Sequence, residues 1–233
     1  MGDWAPKTPA ASPPHGGARP PWGGPAAAGD ATYTLALFPL RSVLFPGGLL
    51  RLKVFEARYL DLVSRCLREG SAFGVVALRR GAEARGDGDH GPVEFEHVGT
   101  LAELIDVDST QPGILQVSCR GTQRFECDAP TQHSDGLWTA RATPLADDDP
   151  TAPTLELIET VRGLSGAMKA LRGQGAEPFI EPYHFEQAGW VANRWCELLP
   201  ISLAAKQKLL ELSDPLLRLK IVDEYLRGKG VVG

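Results

Sequence analysis

Between Glu56 and Ala57 the apolar period of this chain changes, and that change limits its fold more than any other feature. Upstream, Leu50, Leu52 and Val54 share one face while Arg51 and Lys53 share the other, the two-residue period of a half-buried strand. Downstream, Tyr59, Leu60, Val63, Cys66 and Leu67 recur at helical spacing, with Arg58, Asp61, Arg65 and Arg68 opposite them. Gly70 suits the position just past a helix end. A second apolar run over 35–40 precedes Pro46, Gly47 and Gly48, where proline fixes φ and glycine accepts φ > 0. The stretch 35–70 therefore predicts strand, hairpin turn, strand, amphipathic helix.

Further strands are predicted over 73–80, 98–108, 114–128 and 137–145. The turn formers of 108–113 join the middle pair, and Gly121 marks a bulge or bend. Together these give an α+β protein that opens with a bent antiparallel β pseudo-barrel carrying one inserted helix. Asp147, Asp148, Asp149 and Pro150 then suit a helix N-terminus. Beyond them the period is helical, with apolar positions such as Leu155, Ile158, Leu164, Met168 and Leu171 in the first helix. Pro200 stops a second, Ser202 caps a third, and Asp214-Pro215 starts a fourth that Gly228 ends. Four helices on short connections predict a C-terminal four-helix bundle. The expected division is a Pro/Gly/Ala-rich disordered tail over 1–30, a β-rich part over 31–148 and a helical part over 149–233.

The segment LALFPLRSVLFPGGLLRLKVFEARYLDLV at 35–63 resembles the opening of the Lon N-terminal domain, the substrate-binding module of Lon proteases. FGVVAL at 73–78, VGTLAEL at 98–104 and VSCRGTQRFE at 117–126 agree in order, and AAKQKLLELSDPLLRLKIVDEYL at 204–226 resembles the family's closing helices. The likeness covers 35–226 and is nearest to the small bacterial proteins made of that module alone. It implies a PUA-like pseudo-barrel and a cytoplasmic module that binds unfolded or extended polypeptide segments. It also implies an adaptor or quality-control role, with a protease or chaperone as partner.

The residues themselves point away from catalysis. There is no GxxxxGK[ST] to cradle nucleotide phosphates, and no sign of the Ser-Lys protease region of full-length Lon. Gly163-Leu164-Ser165-Gly166 lacks the spacing of a nucleophile elbow and sits in a helical pattern. Asp87, Asp89 and His90 lie in a glycine-rich loop without the ligand series of a calcium site, and the histidines fall at no metal-ligand spacing. Cys66, Cys119, Cys127 and Cys196 read as buried free thiols. No enzyme activity, metal or cofactor is expected. A net charge of −5 gives no overall field for nucleic acid, and no apolar run approaches the ~18 residues of a membrane span.

What remains is a binding surface. Phe55, Glu56, Arg58, Arg120, Arg124 and Phe125 are candidates to line a peptide groove, the arginines meeting carbonyls or acidic side chains and the rings giving apolar contact. The competing reading makes the charged residues structural ion pairs and the rings core. Backbone left unpaired at Gly47-Gly48 and near Gly121 would let a peptide join the sheet. The alternative function is an RNA- or small-ligand-binding PUA-like protein, to which the balance of acidic and basic residues over 35–125 lends no support.

Overall fold

The computed structural model describes residues 32–81 and 92–233, so the expected tail and the Asp87–His90 loop lie outside the described residues. The strands are β1 (Tyr33–Leu40), β2 (Leu49–Val54), β3 (Phe73–Arg80), β4 (Glu94–Gln111), β5 (Ile114–Gln132) and β6 (Trp138–Pro144). The helices are α1 (Ala57–Glu69), α2 (Ile158–Gly173), α3 (Ala188–Leu198), α4 (Leu203–Glu211) and α5 (Pro215–Gly228), with a short 3-10 turn at Leu155–Leu157 before α2.

The six strands form one sheet in the order β2-β5-β4-β3-β1-β6, and β5 also pairs with β6. The pairings β5-β4-β3-β1-β6 thus return to β5, with β2 added outside the circuit. The sheet is mixed rather than antiparallel, because β1 and β3 run parallel with Phe38 level with Val75. A parallel pair needs a long crossover, and the β2–α1 segment supplies it. This also corrects the expected hairpin: β1 and β2 flank one turn but do not pair, and β2 runs instead along β5.

β1 is buried on both faces, which its alternation explains. Leu35 and Leu37 join Val76, Leu101, Phe125 and Ala142 in one apolar cluster, whereas Ala36, Phe38 and Leu40 join α1 residues Tyr59, Leu62 and Val63 in another. Phe125 fills the first cluster so closely that a Cβ on Gly74 or Gly99 would lie 2.7 Å from its ring. α1 ends at Gly70 with φ 60°, its N–H reaching Cys66 O.

A third cluster joins the helices to Phe45. Its centre is α3, in which every residue from Ala188 to Cys196 is buried, with α2, α4 and α5 packed against it. Ser202 Oγ accepts from Ala205 N–H and Asp214 Oδ1 from Leu217 N–H, so both caps read from sequence are present. The acidic run does not start α2, which begins at Ile158. Asp148 instead lies over the first turn of α3, where a Cβ on Gly189 would come within 2.5 Å of its Oδ2. Among the described residues no helix is long and apolar enough to cross a membrane.

Candidate functional site

The turn between β1 and β2 is fixed from two directions. Gly48 N–H donates to Phe45 O at 2.9 Å, and Gly47 has φ 74°, as a turn with proline ahead of glycine requires. Gly47 N–H donates to Gly121 O, and Gly121 N–H to Gly48 O, at 2.7 and 2.8 Å. The backbone groups that the glycines seemed to leave open are therefore spent on one another. From below, the wholly buried Arg194 of α3 donates to Pro46 O and Gly47 O and pairs with Glu197 at 2.8 Å. Burial pushes the Glu197 carboxyl up to about 7, against the pull of Arg194 and Lys206. No side chain fits at Gly48, where a Cβ would lie 2.3 Å from Glu197 Oε1 and 2.8 Å from Phe45 O.

Beyond the turn the sheet has an open edge. Among the described residues β2 pairs only with β5, in unbroken register from Leu49↔Arg120 to Val54↔Leu115. Because Gly48 O accepts from Gly121 N–H, alternation turns the N–H and C=O of Leu50, Leu52 and Val54 toward β5. Those of Leu49, Arg51 and Lys53 point away. The segment 177–181 covers only the start of this edge, through a Gly48–Phe179 bridge and bonds from Arg51 to Glu177 O and Arg120 to Glu181 O. The distal half of β4 also has one unpaired side, but the bulge at Ile105 and the acidic Glu103, Asp106 and Asp108 interrupt it.

The six candidate residues separate. Phe55 is 55% exposed just past β2, and Arg120 is exposed opposite Leu49. Glu56 and Arg58 pair at 2.9 Å, while Arg58 also donates to Gly136 O and stacks its guanidinium over Tyr59. Phe125 is wholly buried. Arg124 is 5% exposed and reaches the helical part, donating to Leu210 O and Leu212 O at 2.9 Å and to Ala146 O at 3.1 Å. It pairs with Asp148, which α5's Arg218 also grips. Burial lowers the Arg124 pKa, with Asp148 opposing the shift.

Two hollows went unread in the sequence. One, of about 210 Å³, lies where the turn meets α3, bounded by Pro46, Gly47, Arg124, Asp147, Gln187 and Asn193. It brings Pro46, Gly47, Arg124 and Asp147, all marked in the sequence, together with Asn193 of α3, a helix whose wide burial hid its polar members. The other, of about 500 Å³, is an apolar groove between α4 and α5 lined by Leu209, Leu212, Ile221 and Tyr225. The adjacent pair Ile221 and Val222 was its signal, since a stripe that wide exceeds what one neighbour covers. Among the described residues no group of His, Cys, Asp and Glu could hold a metal ion.

The family model for the ATP-dependent protease La (LON) substrate-binding domain matches residues 34–228. A Lon protease of Anaeromyxobacter dehalogenans is 28% identical over 210 residues, covering 86% of this chain and 24% of the relative. Lon protease 2 of Myxococcus xanthus is 27% identical over 207 residues, with the same coverages of 86% and 24%. The chain thus spans about a quarter of the curated relatives it matches. The crystal structure of a Lon N-terminal domain protein from Xanthomonas campestris superposes with a TM-score of 0.65 at 31% identity, covering 82% of this chain and 98% of that one. The N-terminal domain of a Mycobacterium avium complex Lon protease shares the fold, with a TM-score of 0.55 at 14% identity, covering 82% and 97%.

Proposed function

This chain belongs to the family of LON substrate-binding domains, and from that premise we propose a non-catalytic polypeptide-recognition module that receives extended segments along the open edge of β2. The outward N–H and C=O groups of Arg51 and Lys53 carry the reading, since no strand lies beside them among the described residues. A joining segment would satisfy them through main-chain bonds that do not depend on its sequence. Arg51, Lys53 and Arg120 give the edge positive charge and favour segments containing acidic residues. Phe55 offers an apolar contact at the far end. Lysine on an edge also discourages pairing with the same edge of a second copy, so the charge that protects the strand selects what joins it.

The family relation supports a role in the cytoplasm as an adaptor or quality-control factor that passes bound chains to a protease or chaperone. In this reading the strand circuit is a pseudo-barrel over 31–148 and the helices of 149–233 form the subdomain behind it. Non-catalytic status fits the thiols, since burial pushes Cys119 and Cys196 up to about 12 and Cys127 up to about 11, leaving each protonated at neutral pH.

The test is Lys53→Pro. Its lost N–H points away from β5, so the β2–β5 ladder survives while the edge loses a donor and gains a ring. Casein, an unfolded acidic probe, is expected to bind the variant far more weakly at a near-native thermal midpoint. Full casein binding by folded Lys53→Pro would remove the site from β2.

A further inference from the structure

The apolar groove between α4 and α5 has the form of a docking site. Ile201, Leu209, Ile221 and Tyr225 wall its volume of about 500 Å³, and Ile221 is 39% exposed. Its charged lining residues, Lys208 and Glu211, pair with each other at 2.6 Å, so it presents neither sign of charge to a ligand. Apolar side chains gathered around one concavity, unlike single exposed ones, mark a place where another surface packs. A large uncharged ring suits this one, since it buries about 150–250 Å² in one group and packs well against an aromatic wall such as Tyr225.

The chain carries such a ring within reach. Residues 1–31 precede the match to the family model, which opens at residue 34, and after Met1 their large apolar side chains are Trp4 and Trp22. Trp22 follows Pro20 and Pro21, which fix φ and cut the entropy lost when the ring is placed. Gly23 and Gly24 after it bring no side chain to obstruct entry, whereas Trp4 follows the charged Asp3 and lies farther from β1. Register bounds the distance. Tyr33 is level with Ala142 and Ala142 with Cys127, and neighbouring Glu126 is level with Val98, whose carbonyl accepts from Gln207 Nε2 of α4 at 3.0 Å. Three strand spacings of about 4.8 Å plus one glutamine side chain put Tyr33 within roughly 30 Å of α4. The backbone from Trp22 to Tyr33 extends to about 38 Å at most, so the ring reaches the groove.

We propose that the α4–α5 groove is the docking site of this chain's own leading segment, with the Trp22 indole as its anchor. The proposal is independent of the β2 edge, because every readout lies in the groove. The test follows the Ile201 and Ile221 methyl resonances in the full chain, with Ile114 of β5 as a control. Trp22→Ala is expected to shift both groove methyls and to leave Ile114 in place, while Trp4→Ala shifts none of the three. A synthetic peptide of residues 16–27 is expected to return the groove methyls of Trp22→Ala toward their wild-type positions. It should bind the unsubstituted chain roughly tenfold more weakly, the competition set by a tethered segment at about millimolar effective concentration over a contact of about 0.1 mM. Unmoved groove methyls in Trp22→Ala, the same shifts from Trp4→Ala, or equal peptide affinity for both chains would each overturn the assignment. So would wild-type shifts that change on dilution, which would mean that the ring comes from a second copy.

Discussion

Asp148 shows how far a single residue's role depends on partners distant in sequence. Its carboxylate takes Arg124 at 3.2 Å and Arg218 at 2.5 Å, joining β5 to α5. Removing it leaves two nearly buried guanidinium groups without their counter-ion, so Asp148→Ala is expected to cost about 3–5 kcal/mol in urea unfolding. A cost below ~1 kcal/mol would mean that the backbone carbonyls alone satisfy both arginines. Glu197 gives a pH signature. Its folded-state pKa of about 7 lies above the ordinary 4.5, so its contribution is full below 4.5 and is lost as pH rises through about 7. Glu197→Gln should flatten the fall in thermal midpoint across that window, and an unchanged slope would contradict the assignment. From sequence, Arg124 was legible as a charged residue in an apolar motif. Its burial was not, because the carbonyls it meets belong to Leu210 and Leu212, far along the chain.

At the scale of elements, periodicity gave α1 with its Gly70 end, the two capped helices and most strand positions. It did not give partners. Alternation in β2 says which side chains are buried, but nothing in Leu49–Val54 distinguishes pairing with β1 from pairing with β5. α3, predicted only as a helix that Pro200 stops, is buried along its whole run from Ala188 to Cys196, and helical period alone does not show that Asn193 and Arg194 lie inside. That burial reverses a familiar substitution. Gly→Ala inside a helix normally stabilises by roughly 1 kcal/mol. At Gly189 the new methyl would lie 2.5 Å from Asp148 Oδ2, so Gly189→Ala is expected to lower the urea midpoint. A raised midpoint would show that Asp148 can move aside without cost.

For the whole molecule, the sequence likeness and the fold agree on the family, while the site needed three dimensions because it arises where the sheet ends. Phe45 lies in the helical cluster, and Arg124 reaches helical carbonyls, so strands and helices depend on each other. A fragment of 32–148 is accordingly expected to lack a cooperative thermal transition; a sharp one would mean that the β-rich part folds alone. The central claim concerns the edge of β2, and residue-resolved amide hydrogen exchange with and without casein tests it most directly. Leu50 and Leu52 already donate toward β5, whereas Arg51 and Lys53 gain partners only when a strand joins. Slowed exchange at Arg51 and Lys53 on adding casein is the predicted result; unchanged exchange at both, with protection confined to the α4–α5 groove, would contradict it.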